Sequence, residues 1–251
     1  MLTLICLTDS TYSQDKLLFE VGVKDGKSSE FSLSPNQYDS FLARFSGEPM
    51  YHVGYSSPSV HWPYILPGPL DHWAGGGYWA GFHPRHFPAL YFSVDKLPQD
   101  GTCEFLIDFV GANRGKPTKI RVEINGQRFE QEIQGEDSSA LLEGKDQNGH
   151  HREVRLSFPV SWLKIGVNKI QMGTIAGSWS IFDAIQLRTP IGVILKQASS
   201  TLIRSVEAAP FEYSRAQGAR VQPILVDMSQ FDKSRELSFE LDGKRIDTRN
   251  R

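Results

Sequence analysis

The sequence predicts an all-β protein, a double-sheet Greek-key or jelly-roll sandwich followed by a short additional β-rich segment. Three observations carry this reading. Apolar residues recur with a period of two in many short runs, turn residues bound nearly every run, and helical periodicity is almost missing. With 22 Gly, 14 Pro and 11% aromatic residues among 251, the composition suits many short strands joined by tight turns. A chain of this length can bury a sizeable core.

Residues 1–16 open on an apolar run at 2–7 followed by small polar residues, which reads either as the remnant of an export signal or as a first strand. Strand-like runs then follow at 18–23, 30–33, 51–53, 89–94 and 103–110, and again at 119–124, 128–133, 153–160, 168–175 and 180–187. In Ile120-Arg121-Val122-Glu123-Ile124 the alternation puts one face on a core and the other in water. Asn125-Gly126 supplies the positive φ of a type I′ turn, so this run and 128–133 are expected to pair as an antiparallel hairpin. Short helices are expected at 35–45, where Tyr38, Phe41, Leu42 and Phe45 share a face, and at 138–143. The sandwich is therefore assigned to 17–190. A polar stretch from Lys196 to Thr201 marks a boundary, and 191–251 is read as linker and the start of a further β-rich module with strands at 202–206, 221–228 and 236–241 and a turn at Asp242-Gly243.

The formal net charge is −2 with basic residues spread along the chain, which leaves no electrostatic footprint for nucleic acid. No apolar run approaches the length of a membrane span. Cys6 and Cys103 are too sparse for a disulfide framework, and no metal-ligand spacing surrounds them.

The chemically richest stretch runs through His61-Trp62-Pro63-Tyr64, Asp71-His72-Trp73, Gly75-Gly76-Gly77, Trp79, His83 and Arg85-His86. Sugars present flat C–H faces to aromatic rings and hydroxyls to polar side chains. Candidate carbohydrate contacts are accordingly Trp62, Tyr64, Asp71, His72, Trp73, Trp79, His83 and Arg85. The same rings could instead plug one end of the sandwich or face a neighbouring domain. The histidines match no metal signature and are read as structural, and the triple glycine lacks what a phosphate loop requires. Trp179 is expected in the core and Trp162 at an edge. Asp137, Glu143, Asp146 and Asp183 are the oxygen donors a structural calcium would take, against the commoner reading of surface carboxylates. No cofactor is otherwise expected, and no Ser-His-Asp, Cys-His or spaced carboxylate pair stands out.

Several ordered stretches resemble the C-terminal jelly-roll module of polysaccharide lyase family 4 rhamnogalacturonan lyases, a galactose-binding-like, carbohydrate-binding-module-like domain. They are Phe19-Glu20-Val21-Gly22 with Asp25-Gly26 and Ser29-Glu30-Phe31, then Tyr51-His52-Val53-Gly54 with Ser56-Ser57 and Trp62-Pro63-Tyr64. Gly166-Val167-Asn168-Lys169-Ile170 and Phe182-Asp183-Ala184-Ile185-Gln186-Leu187 close the set. His61 stands where the family has Asp before Trp, and Gly149-His150-His151 is an imperfect counterpart of its Arg-His-Gly stretch. The resemblance implies a secreted, non-catalytic accessory module that presents plant-type polysaccharide to a catalytic domain elsewhere in a larger protein. Two other functions stay open. One is lyase or hydrolase chemistry within this chain, carried by His52, His61, Tyr64, His72 or Arg85; the other is an interdomain scaffold without ligand.

Overall fold

The computed structural model describes residues 15–78, 81, 86–214, 218, 220–230, 238–241 and 244–246. By its contacts the chain divides into two compact units, Met1–Ala198 and Ser199–Arg251. The first unit contains β1 (Asp15–Gly22), β2 (Met50–His52), β3 (Ile65–Leu66), β4 (Ala89–Lys96), β5 (Thr102–Ala112) and β6 (Thr118–Ile124). It continues with β7 (Gln127–Ile133), β8 (Arg152–Pro159), β9 (Gly166–Ala176), β10 (Ser180–Pro190) and β11 (Ile194–Leu195). Three one-turn helices, α1 (Phe41–Arg44), α2 (Pro58–His61) and α3 (Ser139–Leu142), sit in its connections.

These strands make two sheets. The first is five-stranded, ordered β1-β10-β5-β8 with β3 also on β10; the second is six-stranded, ordered β11-β4-β9-β6-β7 with β2 on β4. The β2–β4 pairing is parallel and every other named ladder is antiparallel. Phe19, Val21, Phe105, Ile107, Phe109, Ile185 and Leu187 from the first sheet, and Leu90, Phe92, Ile120, Val122, Ile170 and Met172 from the second, are buried in one continuous core. The period-two alternation is what makes this work, because each strand gives one face to the core and keeps the other for solvent or covering loops.

The Asn125-Gly126 turn has φ of 48° and 92°, and Ile124 pairs with Gln127, as a two-residue hairpin requires. Trp179 is buried in the core, while half-buried Trp162 stacks on Phe158 at 5.4 Å. The run at 30–33 is not a strand. It reduces to a single bridge between Ser32 and Pro63, and Leu33 takes a φ of 70° that ends any extended path. The helical stretch expected at 35–45 shrinks to a 3₁₀ turn at Tyr38–Ser40 and α1. Asp15 and Lys16 belong to β1, and the remainder of the 1–16 segment lies outside the described residues.

In the second unit β12 (Thr201–Ala208) pairs antiparallel with β15 (Ile224–Gln230), β13 (Tyr213–Ser214) with β14 (Arg220–Val221), and β16 (Phe239–Leu241) with β17 (Lys244–Ile246). The strand expected at 221–228 is interrupted at Gln222-Pro223, since proline has no N–H for a ladder. The Asp242-Gly243 turn lies outside the described residues. Among the described residues, no helix is long and apolar enough to cross a membrane.

Candidate functional site

The register between β5 and β10 slips twice at one end of the first sheet. Phe182 faces Phe109, but Ala184 faces Asp108 and Ile181 faces Gly111. Asp183 and Val110 are thereby each an extra residue in their strand, and a bulge turns such a residue out of the regular pleat. Both are put to use. The Asp183 carboxylate accepts hydrogen bonds from the backbone N–H groups of Asp25 (3.2 Å), Gly26 (3.1 Å) and Lys27 (3.3 Å), which fastens the turn after β1 across the sheet. Val110 forms part of the floor of the cavity that this turn walls.

That cavity has a volume of about 220 Å³. Its floor is apolar, made by Tyr64, Val110, Leu141 and Ile181. One wall carries Ser28, Ser34, Pro35 and Asn36, and the facing wall carries Gly144, Asp146 and Gln147. The second wall is held by side chains reaching from below. The Tyr64 hydroxyl donates to the Leu142 carbonyl at 2.9 Å. Asp137 accepts from the Ala112 N–H (3.0 Å) and the His150 N–H (3.1 Å), tying the segment between β7 and β8 to the end of β5. Burial pushes the Tyr64 phenol well above its usual range, so it remains a donor. Leu33 and Asn36, beside the first wall, both hold left-handed backbone, with φ of 70° and 63°. Such strain concentrates where a loop is shaped for something other than stability. An apolar floor with hydroxyl, amide and carboxyl groups on its walls suits a ligand with C–H faces and many hydroxyls.

Beside the cavity, on the outer side of the same strands, lies a charged group. Asp108 is fully buried, and its carboxylate meets the Lys24 ammonium at 2.7 Å and the His151 imidazole. The same ammonium lies 2.5 Å from Glu153. Asp108 and Glu153 hold Lys24 above the usual lysine range, which fixes it as a cation and denies it the role of a base. Among the described residues, Asp108, His151 and Glu153 form one group of convergent metal-type ligands, and Asp25, Glu30 and Asp183 form another. In the first, Lys24 already stands between two of the carboxylates. In the second, the Asp183 oxygens already face backbone donors. Of the four carboxylates offered for calcium, Asp183 alone enters either group; Glu143 pairs with Lys145 at 2.5 Å.

The aromatic candidates part company. Trp62 is 0% exposed, with Phe182 at 5.8 Å and Tyr51 at 6.2 Å between ring centres, so its faces are occupied by the core. Tyr64, 2% exposed, reaches the cavity as floor. Asp71 is 5% exposed and works as an anchor: it accepts from the Gly68 N–H at 2.7 Å and from the Ser178 hydroxyl, and the loop is further pinned by the Leu70 N–H to the Gly177 carbonyl. Burial raises the Asp71 pKa above its ordinary value. His72 stays exposed and lies against Gly77. Trp73 is half-buried, edge-on to Tyr38 (5.3 Å) and Phe41 (6.1 Å), so the aromatic loop and the Pro35-Asn36 wall lean on the same short segment. Trp79, His83 and Arg85 lie outside the described residues. Of the residues considered for chemistry, His52 is buried and His61 is the last residue of α2, where its Nδ1 accepts from the Ser57 N–H at 3.1 Å.

Residues 17–187 match the family model described as "CBM-like: Polysaccharide lyase family 4, domain III". The chain belongs to this family. The cavity lies within the matched residues. No curated protein matches the chain. Among solved structures, it is similar to a family 35 carbohydrate binding module from an environmental isolate, at 18% identity over 45% of this chain and 72% of that one (TM-score 0.31). It is also similar to the family 35 module of Abf62 from Cellvibrio japonicus, at 11% identity over 45% and 70% (TM-score 0.30). A family 35 module from Clostridium thermocellum matches at 17% identity over 40% and 69% (TM-score 0.25).

Sequence reasoning missed Lys24, Asp108, His151 and Glu153, and the polar walls at Ser28, Asn36 and Gln147. A signal for the first group does exist. Asp108 and Asp183 interrupt strands that are otherwise apolar, Leu106-Ile107-Asp108-Phe109-Val110 and Ile181-Phe182-Asp183-Ala184-Ile185, and a charge inside such a run needs a partner.

Proposed function

We propose that this CBM-like domain is a carbohydrate-binding module with no reaction centre of its own, carried outside the cell or in the periplasm beside a catalytic domain that degrades plant-type polysaccharide. The observation that carries the reading is the cavity over the β5–β10 bulges. It joins an apolar floor to hydroxyl and amide walls, within a domain of a family of polysaccharide lyases. His72 and Trp73 on the neighbouring loop extend the contact surface beyond the cavity. A fixed Lys24 cation and histidines engaged in packing and hydrogen bonds favour binding over cleavage.

Affinity electrophoresis against pectic, rhamnose-containing and other plant glycans tests this, with assays for reducing ends and unsaturated products on the same samples. Retarded migration without product release is expected. Release of product by the purified chain would make it an enzyme, and unretarded migration across the whole panel would leave a scaffold.

A further inference from the structure

We infer that the cavity takes a single neutral sugar residue and rejects a uronic acid. The inference rests on reading the cavity as the glycan site and adds the class of sugar. At about 220 Å³ the space falls below the ~300–1,000 Å³ of sites for drug-sized ligands. One pyranose ring fits the scale of such a space, and the rest of a chain must lie outside it.

The charge around the cavity decides which ring. Asp146 stands on one wall. Behind the other, the carboxylates of Asp25, Glu30 and Asp183 converge, with oxygens of all three within 4.8 Å of one another. Burial raises the pKa of both Glu30 and Asp183, and their carboxylate neighbours add to it. Two of the cations close by are committed elsewhere: Lys24 lies between Asp108 and Glu153, and Lys145 pairs with Glu143. Lys27 is one cation on the cavity lining, against Asp146 on the lining and the three carboxylates that converge behind it. A run of turn amides is a common anion receptor, and the turn at 25–27 offers one. Its three N–H groups already point at Asp183. A uronate entering here finds a built-in carboxylate in the place it would take and like charge around it. A neutral sugar meets the hydroxyls of Ser28 and Ser34 and the amides of Asn36 and Gln147, with its C–H face on Tyr64 and Pro35.

The test uses the full chain and a set of sugars similar in shape that differ in charge: methyl galactoside, methyl galacturonoside and the methyl ester of the latter, with the corresponding glucose series. Competition by ligand-observed NMR ranks their affinities. The neutral glycoside and the ester should bind alike, and the acid at least tenfold more weakly. In Asp146→Asn, which alters an exposed side chain, that gap should narrow. Acid binding as well as or better than its neutral partner would overturn the inference, as would an ester as weak as the acid, since size and not charge would then discriminate. Polysaccharide retention with none of these sugars competing would also overturn it while leaving the module reading intact. Loss of all glycan binding would remove both.

Discussion

Asp71 shows how one side chain can carry fold and pH response together. It closes its own loop by accepting from Gly68 and holds that loop to the turn between β9 and β10 through Ser178, and burial raises its pKa above the ordinary 3.8. Above 3.8 and up to its raised value, the folded chain binds more protons than the unfolded chain. Stability therefore falls as pH rises through that window, and the deficit persists at neutral pH. In Asp71→Asn the amide oxygen can still accept from Gly68 and its NH₂ can donate to Ser178, with no charge to bury. Thermal melts across pH should show the wild type losing Tm relative to Asp71→Asn as pH climbs from about 4, then running parallel to it. Parallel curves throughout, or the opposite slope, would show that Asp71 is not the group responsible. Its role could not be read from the sequence, where Asp71-His72-Trp73 looks like a ligand-facing cluster. Trp62, for which the sequence leaves a ligand-facing and a buried reading open, is fully buried once the strands around it close.

At the level of elements, what the sequence displays is alternation, and what it hides is register. Ile120 to Ile124 and the Asn125-Gly126 turn specify their hairpin locally, and the main strands of both sheets lie close to where their patterns begin and end. The two bulges cannot be seen this way, because an extra residue is extra only relative to a partner some seventy positions away. The two-residue strands β3 and β11 are too short to show a period. The bulge at Asp183 is also where element and site meet. Asp183→Ala removes the acceptor of three backbone N–H groups and frees the turn that walls the cavity. A loss of about 1–3 kcal/mol in urea unfolding is expected, together with loss of glycan retention in affinity electrophoresis. Full stability with unchanged retention would mean that the turn stands without its carboxylate and that the cavity does not depend on it.

For the molecule as a whole, the question is whether the sandwich needs the residues beyond it. The core from Phe19 to Val193 is continuous and is drawn entirely from the first unit. The edges of its two sheets are formed by β1 with β3, β8, β7 and β11 with β2, and β11 is the last strand to join, at Ile194–Leu195. A core of this extent, supplied by some 180 residues, is of the size that folds on its own. Among its described residues the second unit holds three two-stranded sheets, with Ile203, Val206, Phe211, Tyr213, Ile224 and Leu225 exposed. Isolated two-stranded ribbons are marginal in water. Residues 1–198 should therefore melt in one cooperative transition with a Tm within a few degrees of the full chain and retain its glycan affinity, while 199–251 alone should show no cooperative unfolding by circular dichroism. If the shorter chain precipitates or melts without cooperativity, the sandwich depends on the later residues for its stability. If it folds but no longer binds, the sugar-facing surface extends past the cavity assigned to it.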